Sequence, residues 1–214
     1  MSTLFSKGTF KPIDTCFMTE AMTALDSLSD VQNKYQKGDI DNFLNELHDS
    51  VVGHYLGFNL INIEKHGFDC KLDNDKDVFL ESKVASISAG TWSATFNDTT
   101  LEKANAFKNP NVWLALSVWL DASKLLFICY GQHPGIGDFL EERVTSFLGG
   151  HGIRSTQTIS FSKLIKDFGF RILSISKTPQ ELISFLALKS REFPKYIKPN
   201  IIDTLPFDGI TINQ

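Results

Sequence analysis

The spacing of apolar positions changes along the chain, and each change marks an element. Over residues 39–55, Ile40, Leu44, Leu47, Val51 and Tyr55 recur at helical spacing, with Asp39 as a cap and Gly57 as a stop. A short apolar run, 58–63, leads to Gly67, where the chain can turn. The period then falls to two: 68–72 and 78–84 predict the strands of a β-hairpin around the polar turn 73–77. Residues 84–98, rich in Ser, Thr and Gly, read as an irregular segment. Thr99, with Glu102 three residues later, predicts a capping box and a helix to about Lys108, ended by Asn109-Pro110. The strongly apolar run 112–120 reads as a strand buried on both faces. Residues 125–130 form another strand, and the tight 121–124 connection favours an antiparallel pair.

Further on, 136–148 predicts a helix ended by Gly149-Gly150. Ser160 caps a short helix to Phe168, and 170–176 is a strand. Thr178 and Glu181 form a capping box that opens the last helix, towards Arg191. Residues 1–38 are weakly patterned apart from a short helix at 19–28 and read as a peripheral arm. Residues 39–198 are the core, and 199–214 a loosely held tail. This order predicts one α/β domain with a mixed central β-sheet flanked by helices.

The hairpin carries the candidate chemistry. Side chains alternate along a strand, so Glu81 and Lys83 project to one side and Ser82 to the other. Antiparallel pairing brings Asp69 beside Glu81. Two neighbouring carboxylates repel, and a divalent cation with oxygen ligands relieves them. A lysine beside them can hold a water and stabilise charge on a phosphate. The alternative is an exposed hairpin with a Glu/Lys pair on its wet face.

Asp69, followed twelve residues later by Glu81-Ser82-Lys83, resembles the PD-(D/E)XK nuclease motif in its Asp…Glu-Xaa-Lys form. The sequence departs from that motif at Phe68, where the family has proline. The resemblance is greatest to type II restriction endonucleases and implies their fold, a mixed sheet flanked by helices. It implies a Mg2+-dependent endonuclease that cuts double-stranded DNA at specific sites, leaving 5′-phosphate and 3′-hydroxyl ends, and acts as a homodimer. Asp69, Glu81 and the Ser82 backbone carbonyl would ligate the metal, and Lys83 would position or polarise the attacking water. Family members often place a glutamate on the preceding helix. Glu46 is the one available, although it lies nearly opposite the apolar stripe, as a solvated glutamate would. A structure-selective repair or junction nuclease, or a non-catalytic binding module, are the other readings.

Two polar stretches have the chemistry to touch DNA. In 88–98, Ser88, Thr91, Ser93, Thr95 and Asn97 suit phosphate and base-edge contacts, and Trp92 either stacks there or folds back onto the core. In 151–158, Arg154, Ser155, Thr156 and Gln157 form either a reading loop or a plain polar connection. Lys103 is placed to face a phosphate, or is solvated. Lys189, Arg191, Lys195 and Lys198 make a basic C-terminal patch, and His133 is a lone loop histidine.

Composition narrows the picture. Hydrophobic residues make up 42% of 214, enough for a substantial core, and the 18 Phe belong there. A formal charge of −4 argues against bulk electrostatic binding to nucleic acid but leaves room for a local basic cleft. Three scattered Cys (Cys16, Cys70, Cys129) favour a reducing compartment. With no apolar leader-like run and no membrane-length stretch, a cytoplasmic protein is expected, with no membrane partner. No Gly-rich phosphate loop is present, so no nucleotide cofactor is expected.

Overall fold

A computed structural model describes residues 15–34, 43–60, 68–73, 76–148 and 155–210. The chain divides into two compact units, Met1–Leu44 and Asn45–Gln214. The first contains α1 (Thr15–Lys34), longer at both ends than the helix read from 19–28. The expected cap Asp39, the stripe residue Ile40 and the turn at Gly67 lie outside the described residues.

The second unit is α/β. Its main sheet is built from β1 (Asn59–Leu60), β2 (Cys70–Asp73), β3 (Lys76–Ser86), β5 (Val112–Trp119), β6 (Leu125–Gly131), β8 (Arg171–Ser174) and β9 (Ile202–Thr204), in that spatial order. Pairing is antiparallel except for β3 with β5 and β8 with β9, so the sheet is mixed, as expected. Strand β5 sits inside it and is almost wholly buried. Its alternate residues explain why it reads as continuously apolar. Val112, Leu114, Leu116 and Val118 enter one core, and Ala115 and Trp119 enter the other.

The first core is covered by α3 (Leu101–Ala106), α4 (Gly135–Leu148), α5 (Phe161–Lys166) and α6 (Pro179–Lys189), which bring Ala104, Leu140, Leu164 and Leu186. The second is covered by α2 (Phe43–Leu56) through Val52 and Leu56. Sequence signals set the helix ends. Thr178 Oγ1 accepts from the Glu181 amide, while the Glu181 carboxylate accepts from the Thr178 amide. Ser160 caps α5 in the same way through the Lys163 amide. For α3 the cap is Thr100, one residue later than expected, because Thr99 Oγ1 instead donates to the Phe96 carbonyl. A further short helix, α7 (Phe193–Tyr196), packs Phe193 against Trp92.

Three expectations need correcting. The buried face of α2 is His48, Val52, Gly53 and Leu56, whereas Leu44 and Val51 are exposed. The helix is therefore rotated from the apolar stripe, because it is seated by a glycine. A Cβ at Gly53 would stand 2.9 Å from Cys70 Sγ, so only glycine lets α2 come this close to β2. The tail from Pro199 is not loose, since β9 extends the sheet with Ile202 buried. Asp203 fixes it there, accepting from Arg171 Nε at 2.8 Å and Nη2 at 2.6 Å and from the Tyr130 hydroxyl at 2.7 Å.

Third, residues 93–98 and 155–158 of the two polar stretches are strands. Strand β4 (Ser93–Thr99) pairs antiparallel with β7 (Ser155–Ser160) as a separate two-stranded ribbon. The apolar residues Ala94, Phe96 and Ile159 fill its inner face and drive the pairing.

The Gly53–Cys70 approach gives a double-mutant test. Gly53→Ala is expected to destabilise the fold by about 1–2 kcal/mol through overpacking. In a Cys70→Ala background the same change should be neutral or stabilising, since the clash is gone and alanine favours helix. Equal losses in both backgrounds, by urea denaturation, would show that the contact is not what seats the helix.

Candidate active site

Strand β3 is held on both sides. Lys71 pairs with Phe79 and Cys70 with Leu80 across to β2, while Glu81 pairs with Leu114 and Lys83 with Leu116 across to β5. Asp69 lies one residue beyond the Cys70–Leu80 pair, next to Glu81 on the neighbouring strand. The Ser82 amide donates to Asp69 Oδ2 at 2.7 Å, which fixes that carboxylate against β3. On the other side, Trp119 Nε1 donates to Ser117 Oγ at 2.8 Å, and Ser117 Oγ donates to the Lys83 carbonyl at 3.1 Å. The Glu81-Ser82-Lys83 backbone is thus pinned from both neighbours.

Glu81 is only 2% exposed. Its Oε1 accepts from Lys83 Nζ at 2.6 Å and from Lys103 Nζ at 2.5 Å. Burial alone would push the Glu81 carboxyl up, but these two ammonium groups hold it below its ordinary range. Its second oxygen, Oε2, is buried with no hydrogen-bond partner among the described residues. For Lys83, burial favours the neutral amine, yet Glu81 and Asp69 hold the ammonium form and raise its pKa. Lys83 Nζ also lies 5.6 Å from the centre of the Phe96 ring.

A further carboxylate, Asp49 on α2, is close enough to feel the Asp69 charge. Burial, followed by the Asp69 charge, raises Asp49 from 3.8 to about 7. Burial and then Glu81 raise Asp69 to about 6. Sequence reasoning did not name Asp49; it named Glu46 as the available helix glutamate while favouring a solvated role, and Glu46 is half-buried one turn earlier on the helix. The available signal was Gly53. A glycine inside a helix marks a close approach, and Asp49, four residues before it, shares that face.

The donor set suits a hard cation, because Asp69 and Glu81 present carboxylate oxygens from neighbouring strands and Glu81 Oε2 has no hydrogen-bond partner among the described residues. Among the described residues no three such side chains converge as a ready-made cage. Magnesium needs none, since it keeps several waters and takes one or two carboxylates. Asp69 and Glu81 would hold it, with the Ser82 carbonyl one residue further along β3.

The structure gathers some of the expected DNA contacts and disperses others. Thr95, Asn97 and Thr156 are exposed and Ser93 half-buried, and they lie on the outer face of the β4–β7 ribbon with Thr158 and Ser160. Gln157 pairs with Phe96 on the inner face and is half-buried. Ser155 pairs with Thr99 at the ribbon's end, and Arg154 lies outside the described residues. Ser88 and Thr91 are exposed on the turn before β4. Trp92 is core, 3% exposed and set among Phe127, Phe161 and Phe193, so it is not available to stack on a base.

The basic C-terminal patch is also largely engaged within the fold. Lys189 Nζ donates to the carbonyls of Ile87 and Ala89, Lys195 pairs with Glu192, and Lys198 donates to the Pro194 carbonyl. His133 Nδ1 accepts from the Gly135 amide at the start of α4, a structural role.

The sequence matches no protein-family model and no curated protein to a significant degree. Among the described residues, no helix is long and apolar enough to cross a membrane.

The raised carboxyls set a pH dependence. A carboxyl with a raised folded pKa favours the folded state at low pH, and that contribution is lost as pH rises through about 6 and 7. Metal-free protein is therefore expected to melt at a lower temperature at about pH 8 than at about pH 5, and Asp49→Asn to narrow the difference. Melting curves that are flat over this range would contradict the raised Asp49 and Asp69 carboxyls.

Proposed function

We propose that the chain is a Mg2+-dependent endonuclease that hydrolyses double-stranded DNA at specific sites, in the manner of a type II restriction enzyme. One observation carries the reading: Asp69, Glu81 and Lys83 meet on adjacent strands, with a buried carboxylate oxygen left without a partner. An exposed hairpin with a solvated Glu/Lys pair would not bury Glu81.

Each residue has a role in this reading. Asp69 and Glu81 hold the cation, with the Ser82 carbonyl, and Asp49 adds negative charge from α2. Bound magnesium would supply positive charge against the phosphate and lower the pKa of a coordinated water. Lys83 stays an ammonium ion. Its part is to orient the attacking water and offset phosphate charge, not to take a proton. The water oxygen bonds to phosphorus as the bond to O3′ breaks; the water gives one proton to solvent and O3′ takes one from solvent, leaving 5′-phosphate and 3′-hydroxyl ends. Two such sites, one per strand of the duplex, are supplied by a homodimer.

The β4–β7 ribbon supports DNA as the substrate. It leads from β3 into α3, so it is continuous with the elements that carry Lys83 and Lys103. Its outer positions, Ser93, Thr95, Asn97, Thr156, Thr158 and Ser160, are all hydroxyls or amides. A two-stranded ribbon fits the major groove, where such groups can donate to and accept from base edges. Uncharged readers also accord with the net charge of −4, since they do not depend on a basic surface.

The test is digestion of a long DNA of mixed sequence, with magnesium and with EDTA. Discrete fragments that require magnesium are expected, and Lys83→Ala should lower the cleavage rate by about a hundredfold or more with folding and DNA binding retained. Cutting of branched DNA alone would point instead to a structure-selective nuclease. Absence of cleavage by folded protein across several metals and DNAs would overturn the reading. Within it, Thr95→Val and Thr158→Val, a facing pair on the ribbon, should each weaken binding to the cleaved sequence about tenfold while leaving non-specific binding unchanged. Equal loss on both DNAs would remove the ribbon from recognition.

A further inference from the structure

A cavity of about 360 Å3 lies between residues of β5, β6, β8 and β9 and the segment 207–210. Trp113, Tyr130 and Phe207 line it, and all three pack with the core on the α2 side of the sheet. Glu81 and Lys83 pair with Leu114 and Leu116, which belong to the opposite core, so the cavity is separate from the carboxylate site. The segment that walls it is held in place. The Ile210 amide donates to the Leu56 carbonyl, and a Cβ on Gly209 would stand 3.4 Å from the Gly57 Cα.

Most of the polar side chains of the lining are committed to one another. Arg171 directs Nε and Nη2 at Asp203, and the Tyr130 hydroxyl donates to the same carboxylate. Gln132 is different, because its Nε2 is buried with no hydrogen-bond partner among the described residues. A buried donor left unmet is costly, and a ligand that meets it removes that penalty. The terminal torsion of glutamine is broad, so the amide can turn into the cavity. The charged residues of the lining, Arg171 and Asp203, offset each other, which favours a ligand without net charge.

We propose that this cavity binds a neutral purine of the adenine type, as free base or nucleoside. Its aromatic walls take a flat ring. The Gln132 amide carries a donor beside an acceptor, which matches the N7 acceptor and N6 donor of adenine. Guanine presents two acceptors on that edge, and the guanidinium fork that would suit it is occupied by Asp203. A ligand without phosphate needs no Gly-rich phosphate loop, and the sequence has none. The proposal does not depend on the nuclease reading.

NMR titration of the full chain with adenosine, guanosine, cytidine and AMP locates binding and measures affinity together. Adenosine is expected to shift resonances of 130–132, 171 and 207–210 with a Kd at or below about 1 mM, and the other three to bind about tenfold more weakly or worse. Gln132→Leu should weaken adenosine about tenfold while the melting temperature stays the same or rises, because an unmet donor has gone. Phe207→Ala should weaken it to a similar degree, about tenfold. No shifts with millimolar adenosine, shifts confined to other surfaces, equal affinity for guanosine, or unchanged affinity in Gln132→Leu would each overturn the proposal. Oligodeoxyadenylate carries the same ring on a charged strand. If it bound more tightly than adenosine at the same resonances, the ligand would be a nucleic-acid base and the assignment to a free neutral purine would fall.

Discussion

A charge buried in the middle of a sheet is the condition on which the rest of this site depends. A carboxylate as enclosed as Glu81 is tolerated only if opposite charge reaches it. That requirement ties three elements together. Strand β3 must present Lys83 two residues on, α3 must be positioned to deliver Lys103, and β2 must bring Asp69 close without adding a second uncompensated charge. The Ser82 amide meets the last condition by donating to Asp69. The parallel β3–β5 pairing then needs a crossover, and the crossover contains both β4 and α3. Helix α3, which delivers Lys103, and β4, the first strand of the ribbon, therefore come from one connection.

Local patterns in the sequence foretold those parts of the fold that are decided locally. The hairpin around Asp69 and Glu81, the almost wholly buried β5, the β5–β6 pair and the Thr178–Glu181 capping box all have signals within a dozen residues. The face of α2 was not legible, because a helix is seated by what it meets. Gly53 and His48 fit against Cys70 and Trp119, and Leu44 and Val51 are left outside. Asp49 was lost with that rotation. The ribbon was missed for another reason. Thr95 and Thr158 are far apart in sequence, and each strand alone shows too few apolar residues to announce a sheet. Strand β9 likewise exists only because β8 and Asp203's partners are there to receive it. Of the candidate site, the motif residues could be read from spacing. The helix carboxylate and the second lysine's target could not, since both depend on packing across the sheet.

Pinning matters as much as charge. Ser117 and Trp119 hold the Lys83 carbonyl from β5, and Lys189 holds the carbonyls of the turn that follows β3. Both ends of the segment from Glu81 to Ala89 are thereby restrained from outside it. Site residues on such a restrained strand keep their geometry better than they would on a free loop.

The two faces of the β4–β7 ribbon answer to different constraints. Trp92, Ala94, Phe96 and Ile159 are locked into an aromatic core, and a change at any of them disturbs the fold. The positions between them carry little packing duty. Tolerance to substitution should therefore alternate residue by residue along both strands. A surface built this way can be rewritten by single mutations while its scaffold stays fixed, which would allow related chains to diverge quickly in what they contact without diverging in shape.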